Sequence, residues 1–296
     1  MAAPRPRAVG EDRDLDAVPE IPKENLRGEL RHGTQNTRLV KFASSAGLPA
    51  DRVAKLATSE DYGTILQEVR ILHLLNPHPH VVELLGEVSR PGQYGYCMPV
   101  LIDGESLIRG LSSEDRAEYA PSFAHHLCLA VAHCHRNGII HGDIKMPNTL
   151  FDGHTLKLAD FDSATLKGEG NKVITTSTTR APEMFCRQTW SYPIDVWAVG
   201  VCAFQMFAGY PPFEWDPDTA TLMFLVVGLP SYGAEHYKLD PLNYPAPGTP
   251  IYGGIGSPRA PNDPVLKALI NRALHVLPER RPVAQEMVEL FSGRED

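Results

Sequence analysis

The sequence predicts an α+β protein in two lobes, a small strand-rich lobe with one main helix followed by a larger helical lobe. Three observations carry this. Up to about residue 102, short apolar runs alternate with turn signals around a single stretch of helical periodicity. After Asp103-Gly104-Glu105 the long periodic stretches are helical. The chain has 296 residues, 43% hydrophobic and 22% charged, enough for one large domain or two modest lobes. The expected division is an arm over 1–22, a first lobe over 23–102 and a second over 103–296.

Residues 1–22, rich in Pro, Ala, Arg and acid, read as a disordered or loosely attached arm. Arg38–Ser44 and Arg52–Ala57 read as strands around a turn at Gly47-Leu48-Pro49. Val53 and Lys55 alternate, so they should share a face. Ile65, Val69, Leu72 and Leu75 mark a helix that starts at Asp61 or Thr64 and stops before Pro77. Val81–Val88 and Tyr94–Leu101 read as two more strands. In the second part, Tyr119–Arg136 reads as a long buried helix ended by Asn137-Gly138, and Ile194–Phe207 as an apolar core helix stopped by Gly209. Thr165–Thr179 reads as a loop rich in Gly, Ser and Thr. Leu222–Val227, Val265–Leu274 and Val283–Phe291 read as helices, and Ser231–Pro264 as an irregular insert.

The net charge of -8 argues against binding nucleic acid or anionic membrane through bulk charge. Five scattered cysteines, an odd number without a CxxC pair, read as buried thiols of a reducing compartment, so an intracellular place, cytoplasm or nucleus, is expected. The longest strongly apolar run, Val196–Phe207, is too short to span a bilayer, and no signal peptide is evident.

Chemistry concentrates in His141–Ala164, HGDIKMPNTLFDGHTLKLADFDSA. Asp143, Lys145 and Asn148 lie in one short loop. An apolar, hairpin-like run comes next, and Asp160 stands twelve residues after Asn148. Phosphoryl transfer from a magnesium nucleotide needs such a set. One carboxylate orients the attacking hydroxyl, one cation meets the γ-phosphate, and an Asn with a second carboxylate holds the metal. A strand-rich lobe before a helical one would place a ligand cleft between them.

Several motifs, in order over about Leu26–Phe291, resemble those of eukaryotic protein kinases of the Ser/Thr type. RVAKLA resembles the third strand, which implies Lys55 as the phosphate-contacting lysine; Lys41 is a rival. QEVRIL resembles the following helix, with Glu68 as the lysine's ion-pair partner, though 13 residues is a short separation. HGDIKMPN resembles the catalytic loop, and Asp160-Phe161-Asp162 stands where DFG is expected. Arg180–Glu183 resembles the APE motif. Asp195 resembles the buried helix residue that holds the catalytic-loop backbone, and Arg281 the arginine that pairs with Glu183. The resemblance implies ATP and Mg²⁺ as cofactors, a protein substrate, Asp143 and Lys145 as catalytic residues and Asn148 and Asp160 as metal ligands. Thr176 would bond the catalytic Asp and Lys. Val53 and Leu150 would enclose the adenine, with a hinge at Val100–Asp103. Leu72, Leu84, His141 and Phe161 would stack between the lobes.

Three departures stand out. Of the glycine-rich loop only Gly33 survives, with Gln35 and Arg38 where close backbone approach is expected. Gly142 replaces the arginine that receives an activation-loop phosphate, which implies catalysis without that phosphate. Asp162 replaces the DFG glycine, which restricts the turn. These departures motivate an alternative, a pseudokinase acting as a nucleotide-binding scaffold. HGD with DFD also resembles small-molecule phosphotransferases of the aminoglycoside and choline kinase type, against which the APE-like motif, Asp195 and Arg281 argue. His125, His126, His133, His135 and Cys134 read as structural residues on one helix rather than a zinc site. No regulatory partner can be read from the chain.

Overall fold

The computed structural model describes residues 26–32, 37–42, 52–58, 61–90, 92–166, 169–170, 177–185, 190–212, 261–275 and 277–293. The expected arm, Gly33 and Gln35, Thr176, the helix expected at Leu222–Val227 and most of the insert 231–264 lie outside them. The chain divides into two compact units, residues 1–66 with 84–99, and residues 67–83 with 100–296.

The first unit is an antiparallel five-stranded sheet. Its strands are β1 (Leu26–His32), β2 (Thr37–Phe42), β3 (Arg52–Thr58), β4 (Gly86–Arg90) and β5 (Gln93–Pro99), in the order β1-β2-β3-β5-β4. β3 is the middle strand. Lys55 sits opposite Leu39 on β2 and opposite Tyr96 on β5. Side chains alternate across β3: Ala54 and Leu56 join Val88 and Cys97 in one buried cluster, and Val53 and Lys55 point to the other face. Gly95 lies opposite Leu56, where a Cβ would run into the Lys55 carbonyl, so that position is held to glycine by close backbone approach.

Helix α1 (Tyr62–Leu75) begins in the first unit and ends in the second. The predicted apolar positions Ile65, Val69, Leu72 and Leu75 are all buried, together with Glu68 and Ile71. Its end is closed by the Asn76 side chain, which donates to the Leu72 carbonyl at 3.0 Å and to the Val82 carbonyl at 3.2 Å.

The expected strand over Val81–Val88 is a correction. Bonding to β5 begins only at Leu85, whose N–H donates to the Cys97 carbonyl at 2.9 Å, and the strand ladder runs from Gly86. Val81 and Val82 belong to the second unit, where the Val82 N–H donates to the Leu158 carbonyl at 2.9 Å and Leu158 returns a bond to the His80 carbonyl at 2.9 Å. One apolar run serves two cores, and local pattern does not reveal such a division.

The second unit is built on α3 (Ser113–Arg136) and α5 (Pro193–Ala208). Before α3 stands the short α2 (Gly104–Gly110), and α4 (Pro182–Phe185) precedes α5. Two helices close the chain, α6 (Pro264–Ala273) and α7 (Ala284–Glu289). α5 is apolar on every side, and Trp197, Val199, Val201 and Phe204 are buried by α3 and α6 around it. α3 starts six residues before the predicted Tyr119. Ser112 and Asp115 form a reciprocal capping box there, and that signal outweighs the weak periodicity of the exposed first turns. Its predicted stop holds: Gly138, at φ 72, donates to the His135 carbonyl. α2, which periodicity missed, is capped by Asp103, whose carboxylate accepts the Ser106 N–H at 2.9 Å.

Three short sheets carry the loops between these helices. β6 (Ile102–Asp103), β8 (Thr149–Phe151) and β9 (Leu156–Leu158) form the predicted hairpin with an added edge strand. β7 (Ile139–Ile140) pairs with β10 (Thr165–Leu166), and β11 (Glu169–Gly170) with β12 (Trp190–Ser191). β7 and β10 thereby bring together the two ends of His141–Ala164.

Candidate active site

The loop from His141 to Asn148 hangs on Asp195, a carboxylate at the start of α5 that is 1% exposed. Its Oδ2 accepts the His141 backbone N–H at 2.8 Å and its Oδ1 the Gly142 N–H at 3.0 Å. His135 Nε2 donates to Oδ2 at 3.0 Å. Burial alone would raise the Asp195 pKa. The hydrogen bond and charge of His135 outweigh it and hold the carboxyl below its ordinary range.

Gly142 lies at φ 80, a region costly for any residue with a Cβ. The glycine is therefore required by the turn that lets two consecutive N–H groups reach one carboxylate. His141, fully buried, braces the next turn. Its Nδ1 accepts the Asp143 N–H at 3.2 Å, so Nε2 carries the proton and donates to the Ala159 carbonyl at 3.0 Å. Its ring packs on Phe161 with centroids 4.7 Å apart.

Asp143, 7% exposed, is the centre of the set. Lys145 Nζ donates to its Oδ2 at 2.6 Å, and Asn148 Nδ2 donates to its backbone carbonyl at 2.9 Å. The Arg180 guanidinium feels the same carboxylate: burial lowers the arginine's pKa, and the charge of Asp143 opposes this. Lys145 is partly exposed, so one cation accompanies the carboxylate and still reaches solvent.

Asp160 is reached through the hairpin. The Ala159 N–H donates to the Asn148 carbonyl at 2.9 Å, which places Asp160 one residue beyond a bond to Asn148. Among the described non-glycine residues, Asp160 alone has a positive φ, 66°. Strain of this kind costs on the order of 1 kcal/mol and persists where the surroundings over-determine it. Here Ala159 is bonded through both N–H and carbonyl, and the Phe161 N–H donates to Glu68 Oε1 at 2.9 Å. Asp162 needs no positive φ, so the turn accommodates aspartate where DFG has glycine; its carboxylate accepts from Ser163 Oγ at 3.0 Å.

Asn148 and Asp160 fit a hard divalent cation. The Asn148 amide nitrogen donates to Asp143, which leaves Oδ1 as an oxygen of the kind such a cation takes, and the Asn148 backbone carbonyl binds the segment that carries the Asp160 carboxylate.

The structure thus brings Asp143, Lys145 and Asn148 into one bonded set, ties Asp160 to it through Ala159, and ties Glu68 to the residue after Asp160. Lys55 and Val53, both buried, stand on β3 in the first unit. Leu150 stands on β8 in the second, opposite Lys157 and Asp103. Of the expected hydrophobic stack, Leu72, His141 and Phe161 are buried in the second unit and Leu84 belongs to the first. Thr176 is outside the described residues. Among the described residues no group of three or more His, Cys, Asp or Glu side chains is placed to hold a metal ion.

One participant had no sequence signal. Gln67 Nε2 donates to the Ala164 carbonyl at 2.8 Å, across 97 residues. Its adjacency to Glu68 was the only hint available.

A family model for the protein kinase domain matches residues 50–290. The calcium/calmodulin-dependent protein kinase type II subunit delta of Oryctolagus cuniculus is 29% identical over 249 residues, covering 79% of this chain. The chain spans 42% of the length of that relative.

Proposed function

The chain belongs to the protein kinase family, and on that premise we propose that it transfers the γ-phosphoryl group of Mg-ATP to Ser or Thr hydroxyls of a protein substrate, without needing a phosphate on its activation segment. The observation that carries the reading is the bonded set of Asp143, Lys145 and Asn148. Asp143 orients the substrate hydroxyl and accepts its proton. Lys145, 2.6 Å from that carboxylate, meets the negative charge of the group being transferred. Little covalent work is asked of the protein, so position and electrostatics account for the rate. Asn148 and Asp160 would hold the Mg²⁺, which supplies charge neutralisation at the nucleotide phosphates. Lys55, as the resemblance implies, contacts the α- and β-phosphates, with Glu68 as its partner.

Lys145 in the DIKxxN pattern supports Ser/Thr over Tyr. Independence of an activation-segment phosphate rests on Gly142, which offers no guanidinium to receive one and is held to glycine by its backbone. An intracellular location is supported by the described cysteines, Cys97, Cys128, Cys134 and Cys202, all buried and none in a disulfide.

Purified protein with labelled ATP, Mg²⁺ and Ser, Thr and Tyr peptides tests the reading. Transfer to Ser and Thr is expected. Asp143→Asn should lower kcat by about 10²–10⁴ while Mg-ATP still binds. Mg-ATP binding without transfer over a broad peptide panel would replace this reading with the scaffold one. Labelling confined to small amino or choline-like acceptors would point to a small-molecule phosphotransferase.

A further inference from the structure

We infer that Gln67 is a positioning residue that, together with Glu68, clamps the turn Phe161–Ala164 to α1 and so holds the Asp160 carboxylate in its metal-binding orientation. The inference rests on the proposed reading of Asp160 as a metal ligand and adds a residue that reading does not use.

The clamp is visible in the hydrogen bonds of two residues. Phe161 and Ala164 carry four backbone polar groups between them. The Phe161 N–H donates to Glu68 at 2.9 Å. The Ala164 N–H donates to the Phe161 carbonyl at 3.1 Å and closes the turn. The Ala164 carbonyl accepts from Gln67 at 2.8 Å. Every one of the four is used, and the two that bond outside the turn do so with adjacent residues of one helix. The polarity is matched: the carboxylate receives the turn's first N–H, and the amide donates to its last carbonyl.

Asp160 sits between this clamp and the bonds that hold Ala159 to His141 and Asn148. A residue at φ 66 relaxes if the peptide on either side is free to rotate. Glu68 guards the near side of the turn. Without Gln67, the turn keeps the Glu68 bond and the packing of Phe161 on His141 but loses one of its two backbone ties to α1, the one at its far end. Beyond Ala164, Thr165 and Leu166 pair with Ile140 and Ile139, and Glu169 and Gly170 with Ser191 and Trp190, none of them on α1. With Gln67 bonded, both ends of the turn take their position from α1. Gln67 itself is solvent-exposed, so removing its donor leaves no buried polar group on the helix and need not unfold the protein.

Three variants of the full chain test this: Gln67→Glu, which sets a carboxylate against the Ala164 carbonyl, Gln67→Ala, and Gln67→Lys, which restores a donor by different chemistry. Amide exchange over 161–164 is read without nucleotide, and binding of Mg-ATP is titrated against Mg²⁺. The expected result is a rise of about five- to tenfold in exchange at 161–164 for the Glu and Ala variants, the amount one lost hydrogen bond implies. The Mg²⁺ needed for half-maximal nucleotide binding rises in step, α3 exchanges as in the wild type, and the Lys variant returns toward wild type. Unchanged exchange at 161–164 in the Glu variant overturns the clamp. Faster exchange with unchanged Mg²⁺ dependence overturns the positioning role. Failure of the wild type to bind Mg-ATP overturns the proposed function instead, with the exchange measurement still reading the clamp by itself.

Discussion

Arg281 and Glu183, 98 residues apart in sequence, meet in a two-pronged ion pair, Nη1 to Oε1 at 2.7 Å and Nη2 to Oε2 at 2.8 Å. The arginine has no exposed side-chain surface in the pair. Its Nε donates to the His275 carbonyl at 2.7 Å, Nη1 also reaches the Pro193 carbonyl, and the guanidinium lies 5.0 Å from the centre of the Trp197 ring. One side chain thus ties Glu183 on α4 to the start of α5, the helix whose Asp195 carries the loop His141–Asn148.

Removing one partner of such a pair strands a buried charge. Arg281→Met is expected to lower unfolding free energy by about 3–5 kcal/mol. Arg281→Lys should fall between, because a point charge cannot reproduce the fork. Urea unfolding of each variant measures this, and an Arg281→Met variant as stable as the parent would show that the pair adds nothing.

Gly142→Ala is expected to lower stability by about 1 kcal/mol, since the residue must hold φ 80 with a Cβ. For a chain of this size that is about 2–4 °C in Tm. Because the turn presents two N–H groups to Asp195, phosphoryl transfer should fall by more than the melting shift suggests. An alanine variant with parental Tm and rate would mean that the turn does not require glycine.

The α3 histidines give the second unit an acid edge. His78 Nδ1 accepts the His80 N–H at 3.2 Å, and His126 Nδ1 accepts the Leu156 N–H at 3.4 Å, so both rings are held neutral. Their rings stack, His78 on His133 at 4.0 Å and His80 on His126 at 4.5 Å. Burial first, then neighbouring basic groups, pulls His78 and His126 from 6.5 down to about 4. For His78 those neighbours are His133, His80, Arg136 and Lys157. For His126 they are His80 and His125, with Asp152 opposing. Above pH 6.5 both folded and unfolded chains leave these rings neutral. Below it the unfolded chain binds protons that the folded one refuses, so stability falls as pH drops from 6.5 to about 4. Replacing both by Asn, whose oxygen can take over the Nδ1 acceptor, should flatten Tm against pH over that window. A double variant that tracks the parent's curve would remove these two residues from the account.

Much of the fold was legible in the chain alone. β3 begins at the predicted Arg52, α1 and α5 fall within a residue or two of their predicted bounds, and the hairpin after Asn148 forms where the apolar run stands. These elements announce themselves because their signals are local: alternation, helical spacing and terminating Pro or Gly. The close spacing of Asp143, Lys145 and Asn148 likewise reflects one short loop, so their meeting needed no distant partner.

Other features had no local signature. Val81–Val88 is one apolar run to the eye, yet two cores share it, and only the pairing partners Leu158 and Cys97 reveal the break. Gly142 looked like the loss of an arginine until the backbone angle showed a turn that demands glycine. The histidines of α3 were separate letters until the loop carrying His78 and His80 packed against them. Gln67 became part of the site only when Ala164, 97 residues away, came within hydrogen-bonding distance. Pattern along the chain records what a residue prefers; which groups satisfy its polar atoms is decided by contacts across the fold.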